Sequence, residues 1–468
     1  MKLYSENKDY KLYQGNMLDM LEVIEPNAID SIVTDPPYEL NFMNKGWDNA
    51  GVSFNEDTWK KCFEVLKPGG YLLAFGGSRT YHRIACAIED AGFEIRDTIM
   101  WLYGSGFPKS FNIGKQIEAK VLFNDASGRS QKKLKGQKIN ASMWTHHWSY
   151  KNGKEKNDYS VLSNEKVIDV EYTTELGKKW AGWGTQLKPS FEPIIVARKP
   201  VKGTIIDNVI EYGVGGINID ECRVETNEDI KTHNYTQNSG IYGEYSTNIP
   251  NHSTNQGRFP ANTILTYDET DFDEVCGGFP NTKDSGGGPN YEKSNYTSYC
   301  DILSGNAYKR GIHYKESGSA SRYFYCAKAS KKDRDEGLDE FESVKCSMMA
   351  SNANIDKNGN FTGMLAGRET KRKNTHPTVK PTELMQYLIR LVTPNNGTVL
   401  DPFNGSGSTG KAVMYENKER NKGYKYIGIE LTEEYLPIAQ ARIEYVCNLK
   451  EEEKPQTTIF DYIGDSNE

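Results

Sequence analysis

Two short stretches of this 468-residue chain hold residues whose types and spacing could do chemistry. The first is "SIVTDPPYEL" (31–40), where a β-branched run ends on Asp35, Pro36, Pro37 and Tyr38. Neither proline donates a ladder hydrogen bond and both fix φ, so the strand stops there and presents a carboxylate and a phenol at its end. The second is "VLDPFNGSGSTG" (399–410), in which a strand ends on Asp401 and a turn follows through Phe403, Asn404, Gly405, Ser406 and Gly407. The next apolar run, "KYIGIEL" (425–431), ends on Glu430. A glycine-rich turn after one strand and an acid at the end of the next is the logic of nucleoside binding in a doubly wound sheet, the acid accepting from ribose hydroxyls.

Gly405, Gly407 and Gly410 are spaced G-x-G-x-x-G, which as a lone glycine-rich turn is a weak signal. Lys411 is followed by Ala412, so a phosphate-cradling P-loop is excluded. A nucleoside without phosphate suits a turn with no P-loop, and S-adenosyl-L-methionine is one.

These residues need a scaffold, and the pattern around them supplies it. Residues 29–102 alternate apolar strands ("DSIVTD", "YLLAFGG", "EIRDTIMWLYG") with amphipathic helices, the first of them "NEDTWKKCFEVLKPGG", closed by Pro-Gly-Gly. This predicts parallel β-α-β units. "PSFEPIIVARKP" (189–200) returns to strand character and should rejoin the sheet. After residue 375 come a helix ("PTELMQYLIRLVT"), the glycine-turn unit, and a last helix ("TEEYLPIAQARIEYV"). Between these, 104–182 is poor in apolar periodicity and reads as an insertion, while 203–370 is dominated by Gly, Asn, Ser, Tyr and Thr.

Composition sets looser bounds. The length suggests two units or one domain with large insertions. No apolar run approaches the roughly 20 residues of a membrane span, and "MKLYSENKDY" has no apolar signal core, so a cytoplasmic protein is expected. The eight cysteines form no CxxC pair, which points to reduced structural thiols and no metal. The formal net charge of −7 leaves a polyanion partner open, since binding depends on where the positive groups sit.

"DPPY" followed much later by "DPFNGSG" resembles the amino-methyltransferases that act on exocyclic amines of DNA bases. It is similar in particular to their permuted (beta) group, in which the catalytic motif precedes the cofactor motif. "HPTVKP" (376–381) and "KPSFEPIIVARKP" (188–200) add to the likeness, which covers 12–103, 183–225 and 375–446. It implies an α/β, Rossmann-like S-adenosylmethionine-dependent methyltransferase fold in circularly permuted motif order, with a polar target-recognition insertion. The expected layout is a catalytic half over 1–225 (insertion 104–182), a target-recognition region over 226–370 and a cofactor half over 371–468.

The resemblance assigns roles. An exocyclic amine is a poor nucleophile because its lone pair is delocalised into the ring. Acceptors on its hydrogens favour the pyramidal geometry that attacks a sulfonium methyl, and rigid ones stabilise the transition state cheaply. Asp35 is one such acceptor and the Pro36 carbonyl the second, with Pro37 fixing both and Tyr38 stacking on the flipped base. The cofactor is assigned Asn16, Asp35, Thr378, Lys380, Asp401, Phe403, Asn404, Gly405, Ser406, Gly407 and Glu430. Asn16 departs from the family, which usually has an acid after this glycine; Asp19 stands nearby. His376 is read as structural, and "GWD" (46–48), on the loop after the catalytic motif, as either a lid or a packed Trp47. Lys328, Lys331, Lys332 and Arg334 form a basic cluster for DNA, with Asn234, Tyr235, Gln237 and Asn238 able to read base edges.

The expected reaction is methyl transfer to N6 of adenine in double-stranded DNA. Cytosine N4, RNA or a protein glutamine stay open, as does a non-catalytic DNA-binding protein. A homodimer and a cognate restriction nuclease are compatible partners.

Overall fold

The computed structural model describes residues 2–40, 51–103, 110–123, 172–225, 257–267, 281–282, 318–319, 324–328, 331–347, 354–355, 361–362 and 369–449. The chain divides into two compact units, one of residues 1–104, 191–344 and 372–468, the other of 105–190 and 345–371.

The larger unit is built on one ten-stranded sheet. Its strands are β1 (Lys2–Glu6), β2 (Tyr10–Gln14), β3 (Ile29–Thr34), β4 (Leu66–Phe75), β5 (Glu94–Tyr103), β6 (Phe191–Arg198), β7 (Thr263–Tyr267), β8 (Tyr325–Lys328), β9 (Thr398–Asp401) and β10 (Lys425–Glu430). They lie in the order β1-β2-β10-β9-β3-β4-β6-β5-β7-β8. The run β2-β10-β9-β3-β4 is parallel, while β6 runs antiparallel to both β4 and β5. All six residues of β3 are buried, as a strand covered on both faces requires.

Alternation along the strands sends side chains to two cores. Val33, Leu73 and Phe75 face α8 (Thr382–Val392), α9 (Ser408–Arg420) and α10 (Leu436–Asn448) through Leu388, Val413 and Ile443. Ile32, Leu72 and Ala74 face α1 (Met17–Leu21), α2 (Glu56–Val65) and α3 (Tyr81–Asp90) through Met20, Trp59 and Ile88. Burying large side chains such as these stabilises by about 1.5–3 kcal/mol apiece.

Two expectations are corrected. Pro68-Gly69-Gly70 does not close α2: it lies inside β4. A Cβ on Gly69 would come 2.2 Å from the amide nitrogen of Asn208 on α6 (Ile205–Tyr212) and one on Gly70 3.0 Å from the Asp30 carbonyl oxygen, so glycine lets the strand squeeze past. The last carbonyls of α2 are met by Lys199, whose Nζ lies 2.6 Å from Phe63 O and 2.8 Å from Leu66 O. Second, "FEPIIVAR" rejoins the sheet between β4 and β5, so those two strands are not neighbours. Within 226–370, β7, β8 and α7 (Lys331–Asp335) belong to the larger unit, the two strands extending its sheet beyond β5.

The smaller unit, which holds most of the 104–182 insertion, has α4 (Ile113–Phe123) and α5 (Glu175–Lys179). Its buried Glu118 accepts from Thr173 Oγ1 at 2.8 Å and from the backbone and hydroxyl of Thr174, the N-cap of α5.

Candidate active site

Parallel strands β10, β9, β3 and β4 end along one edge of the sheet, and the chemistry-bearing residues collect there. Asp35 follows β3 directly. Its Oδ2 lies 2.7 Å from Lys380 Nζ, while its Oδ1 is buried with no hydrogen-bond partner. A buried carboxylate oxygen left unpaired in a native fold calls for an incoming donor. Pro37 and Tyr38 are fixed through their carbonyls, which accept from Ser53 Oγ at 2.6 Å and Thr80 Oγ1 at 2.8 Å. The next residue, Glu39, has φ +54°, unusual for a side chain of its size. Its carboxylate accepts from Gly51 N at 2.8 Å and Ser53 N at 3.3 Å, tying down both ends of the segment that holds "GWD". Trp47 itself lies outside the described residues.

Lys380 is buried among charge and aromatic rings. Besides Asp35 it sits 3.4 Å from Glu192 Oε2, and its ammonium lies 4.9 Å from the Phe75 ring centre and 5.3 Å from that of Tyr38. Burial works against the ammonium, but Asp35 and Glu192 outweigh it and hold its pKa above that of an ordinary lysine. The Tyr38 hydroxyl donates to Glu192 Oε2 at 2.7 Å. Burial, with Asp35 and Glu192 beside it, pushes this phenol well above its usual range, so it stays a donor. Glu192 was not singled out by sequence reasoning. Its only signal was a lone acid at the start of an apolar strand.

The glycine turn is arranged differently. Asp401 is 2% exposed and fully occupied: it accepts from Thr34 Oγ1 and Thr409 Oγ1, each at 2.6 Å, and from Phe403 N at 3.1 Å. With no cation beside it, burial raises this carboxyl to about 6 despite those bonds. Phe403 packs toward Trp59, ring centres 6.5 Å apart. The Asn404 side chain accepts from Tyr426 OH at 2.7 Å and donates to Gly405 O at 3.0 Å. Ser406 offers its carbonyl to the buried Arg442 at 2.8 Å. Gly405 and Gly407 have φ +53° and +76°. A Cβ on Gly405 would also come 3.0 Å from His376 Nε2.

Glu430, 8% exposed, accepts from Gly405 N and Thr432 N, both at 2.7 Å. Burial raises its carboxyl to about 7. Asn16 caps α1 by accepting from Leu18 N at 3.0 Å, next to Gly15, whose N–H donates to the Glu430 carbonyl. Thr378 is exposed, and its carbonyl accepts from His376 Nδ1 at 2.6 Å. A carbonyl can only accept, so Nδ1 carries the proton. Burial pushes His376 down to about 4, which keeps the ring neutral. Among the described residues no cluster of His, Cys, Asp and Glu could hold a metal ion.

The basic cluster turns out to be divided. Arg334, half-buried, donates to the carbonyls of His376 and Asn374. Asp333 beside it takes Lys411 Nζ at 2.6 Å, Thr382 N at 2.8 Å and the Thr382 hydroxyl, so α7 braces the loop that carries His376 and Lys380. Lys332 is exposed. The side chains of Lys328 and Lys331 lie outside the described residues, as do Asn234, Tyr235, Gln237 and Asn238.

The DNA methylase family (N6_N4_Mtase) matches residues 29–441. Type II methyltransferase M2.LlaDCHI of Lactococcus lactis subsp. cremoris is 26% identical over 238 residues, 46% of this chain and 82% of that protein. Type II methyltransferase M2.DpnII of Streptococcus pneumoniae is 25% identical over 236 residues, 46% and 81% of the two chains. Among solved structures, the M1.HpyAVI–SAM complex aligns with a TM-score of 0.33 at 14% identity, over 93% of this chain and 99% of that one. This chain belongs to the DNA methylase family, and it is a site-specific DNA methyltransferase.

Proposed function

We propose that this DNA methylase transfers a methyl group from S-adenosyl-L-methionine to the N6 amine of adenine, flipped out of double-stranded DNA. The observation that carries the reading is the buried, unpartnered Oδ1 of Asp35 at the end of β3. An N–H of the target amine is the donor that oxygen lacks. The Pro36 carbonyl is assigned the second N–H, and the two together would draw the nitrogen lone pair out of conjugation. Tyr38 is assigned the stacking face.

The residues of the glycine turn fit the cofactor. Each Glu430 oxygen uses one lone pair on a backbone N–H and keeps another for ribose hydroxyls. The positive charge nearest the turn, Arg442, is spent on Ser406 and Ser408, which suits a nucleoside without phosphate. When bound, the cofactor supplies an electrophilic methyl on a sulfonium. The chain's own part is to hold the amine, exclude water and set the approach, reacting atoms about 3 to 3.5 Å apart. Asp401, Phe403, Asn404 and Ser406 would shape this pocket from behind, and Gly405 and Gly407 would line it with backbone.

Asp at the first position of "DPPY" favours adenine over cytosine. The catalytic strand β3 precedes the cofactor strand β9 in the chain, which supports the permuted group. No described helix is long and apolar enough to cross a membrane, in keeping with a cytoplasmic enzyme beside its DNA. A homodimer and a partner nuclease belong to the same reading.

Incubating the protein with DNA and methyl-labelled cofactor, then separating the nucleosides, tests it. N6-methyladenine is the expected product. N4-methylcytosine would reassign the base, and no labelled base in any DNA would remove the activity.

A further inference from the structure

We propose that Glu192 is a positioning residue for methyl transfer, holding Lys380 on one oxygen of Asp35 so that the other stays open to the target amine. The inference rests on the reading of Asp35 as the amine's acceptor.

The reversed direction of β6 is what brings Glu192 to this place. β4 and β6 pair antiparallel with Phe75 opposite Ile194, so the start of β6 lies at the edge where β3 and β4 end. A carboxylate two residues before Ile194 thus arrives beside one that follows β3. Three groups then meet on Glu192: Tyr38 OH at 2.7 Å, Lys380 Nζ at 3.4 Å and Tyr103 OH at 3.4 Å. Two of these three, Tyr38 and Lys380, are themselves neighbours of Asp35.

The charges explain why this matters. Two carboxylates share one buried ammonium. Lys380 has three N–H donors and takes Asp35 Oδ2 at 2.7 Å, yet Oδ1 receives nothing. An ammonium facing Asp35 alone would be drawn to straddle both oxygens and neutralise the charge. Glu192 draws it the other way. Asp35 then keeps an open oxygen and enough negative charge to polarise an N–H. By anchoring the Tyr38 hydroxyl, the same carboxylate also fixes the ring beside the amine's path.

The test is steady-state kinetics on Glu192→Gln, which keeps the size and an acceptor for Tyr38 but removes the charge. We expect kcat to fall about 10- to 100-fold, the range for losing a partner that orients a reacting group. KM for DNA and for cofactor should stay within about twofold, a split that a general loss of structure would not give. Titrating cofactor-binding sites counts the folded fraction, so a poorly folding preparation still yields a rate per active site. In a Lys380→Met background, adding Glu192→Gln should cost nothing further, because the ammonium through which Glu192 acts is gone. A Glu192→Gln kcat within twofold of wild type, or a penalty that persists in full without Lys380, would overturn the proposal. Asp35→Asn is run alongside. If it keeps wild-type kcat, the amine-acceptor reading itself falls; if it is inactive while Glu192→Gln is normal, only the positioning role is lost.

Discussion

Asp35 and Asp401 end neighbouring parallel strands, and each is followed by proline, yet the fold uses them in opposite ways. Asp401 has both oxygens filled by two hydroxyls and a backbone N–H, with no cation in contact. It ties β9 to the end of β3 and to the first turn of α9. Asp35 has a cation on one oxygen and nothing on the other. The first arrangement is closed and holds elements together, whereas the second is open and can act on a ligand. An acid at a strand end does not declare its task; its unfilled valences do.

The contrast can be broken by substitution. Asp35→Ala should cut methyl transfer by at least about 10²–10³-fold, the loss for removing one preorganised stabilising group, with cofactor affinity nearly unchanged. Single-turnover rates and calorimetry measure the two quantities. Asp401→Ala should act chiefly on stability, by about 2–4 kcal/mol in denaturant unfolding, because two hydroxyls and an N–H lose their buried acceptor.

Glu430 lies between these extremes, and Glu430→Gln should weaken cofactor binding by about 1–3 kcal/mol. Its carboxyl is raised to about 7, and ribose hydroxyls need the ionised form as acceptor. Cofactor affinity of the wild type should therefore fall as pH drops below about 7, by up to tenfold per unit, and Glu430→Gln should lose that dependence. Calorimetric titration across pH 5.5–8.5 reads it. The smallest effects separate the two halves of the basic cluster. Arg334→Ala should raise KM for the cofactor a few-fold and leave DNA affinity and its salt dependence alone, since its guanidinium holds the carbonyls of Asn374 and His376. Lys332→Ala should leave the cofactor alone and, if its exposed ammonium meets phosphate, reduce the salt slope of DNA binding by about one.

Elements with a strong local signature were legible in the sequence. Apolar runs stopped by Pro-Pro or by a glycine turn located the ends of β3 and β9, and Glu430 followed from the next run. What escaped was decided by contacts far apart in the chain. The bond between Tyr38 and Glu192 joins residues 154 apart, and Lys380 reaches Asp35 across 345. No local pattern records such a meeting. Pro-Gly-Gly read as a helix stop because the same residues that end helices also let a strand pass close to a neighbouring amide. The polar composition of 226–370 concealed "TILTY" and "YCAK", strands too short to show a period. The bonds of Arg334 to the carbonyls of Asn374 and His376 escaped as well, since a lysine-rich run looks alike whether its members face solvent or a carbonyl.

The position of β3 at the centre of the sheet has a consequence for biosynthesis. Its neighbour β4 emerges soon after it, but its other neighbour, β9, arrives late: the bond from Thr34 to Asp401 spans 367 residues. At ordinary rates of translation that is a wait of tens of seconds. Throughout it, a strand that ends up wholly buried keeps one edge unpaired. The nascent chain thus passes through a period of exposure to aggregation, and its yield in the cell should depend on a chaperone occupying that edge until the C-terminal third is made.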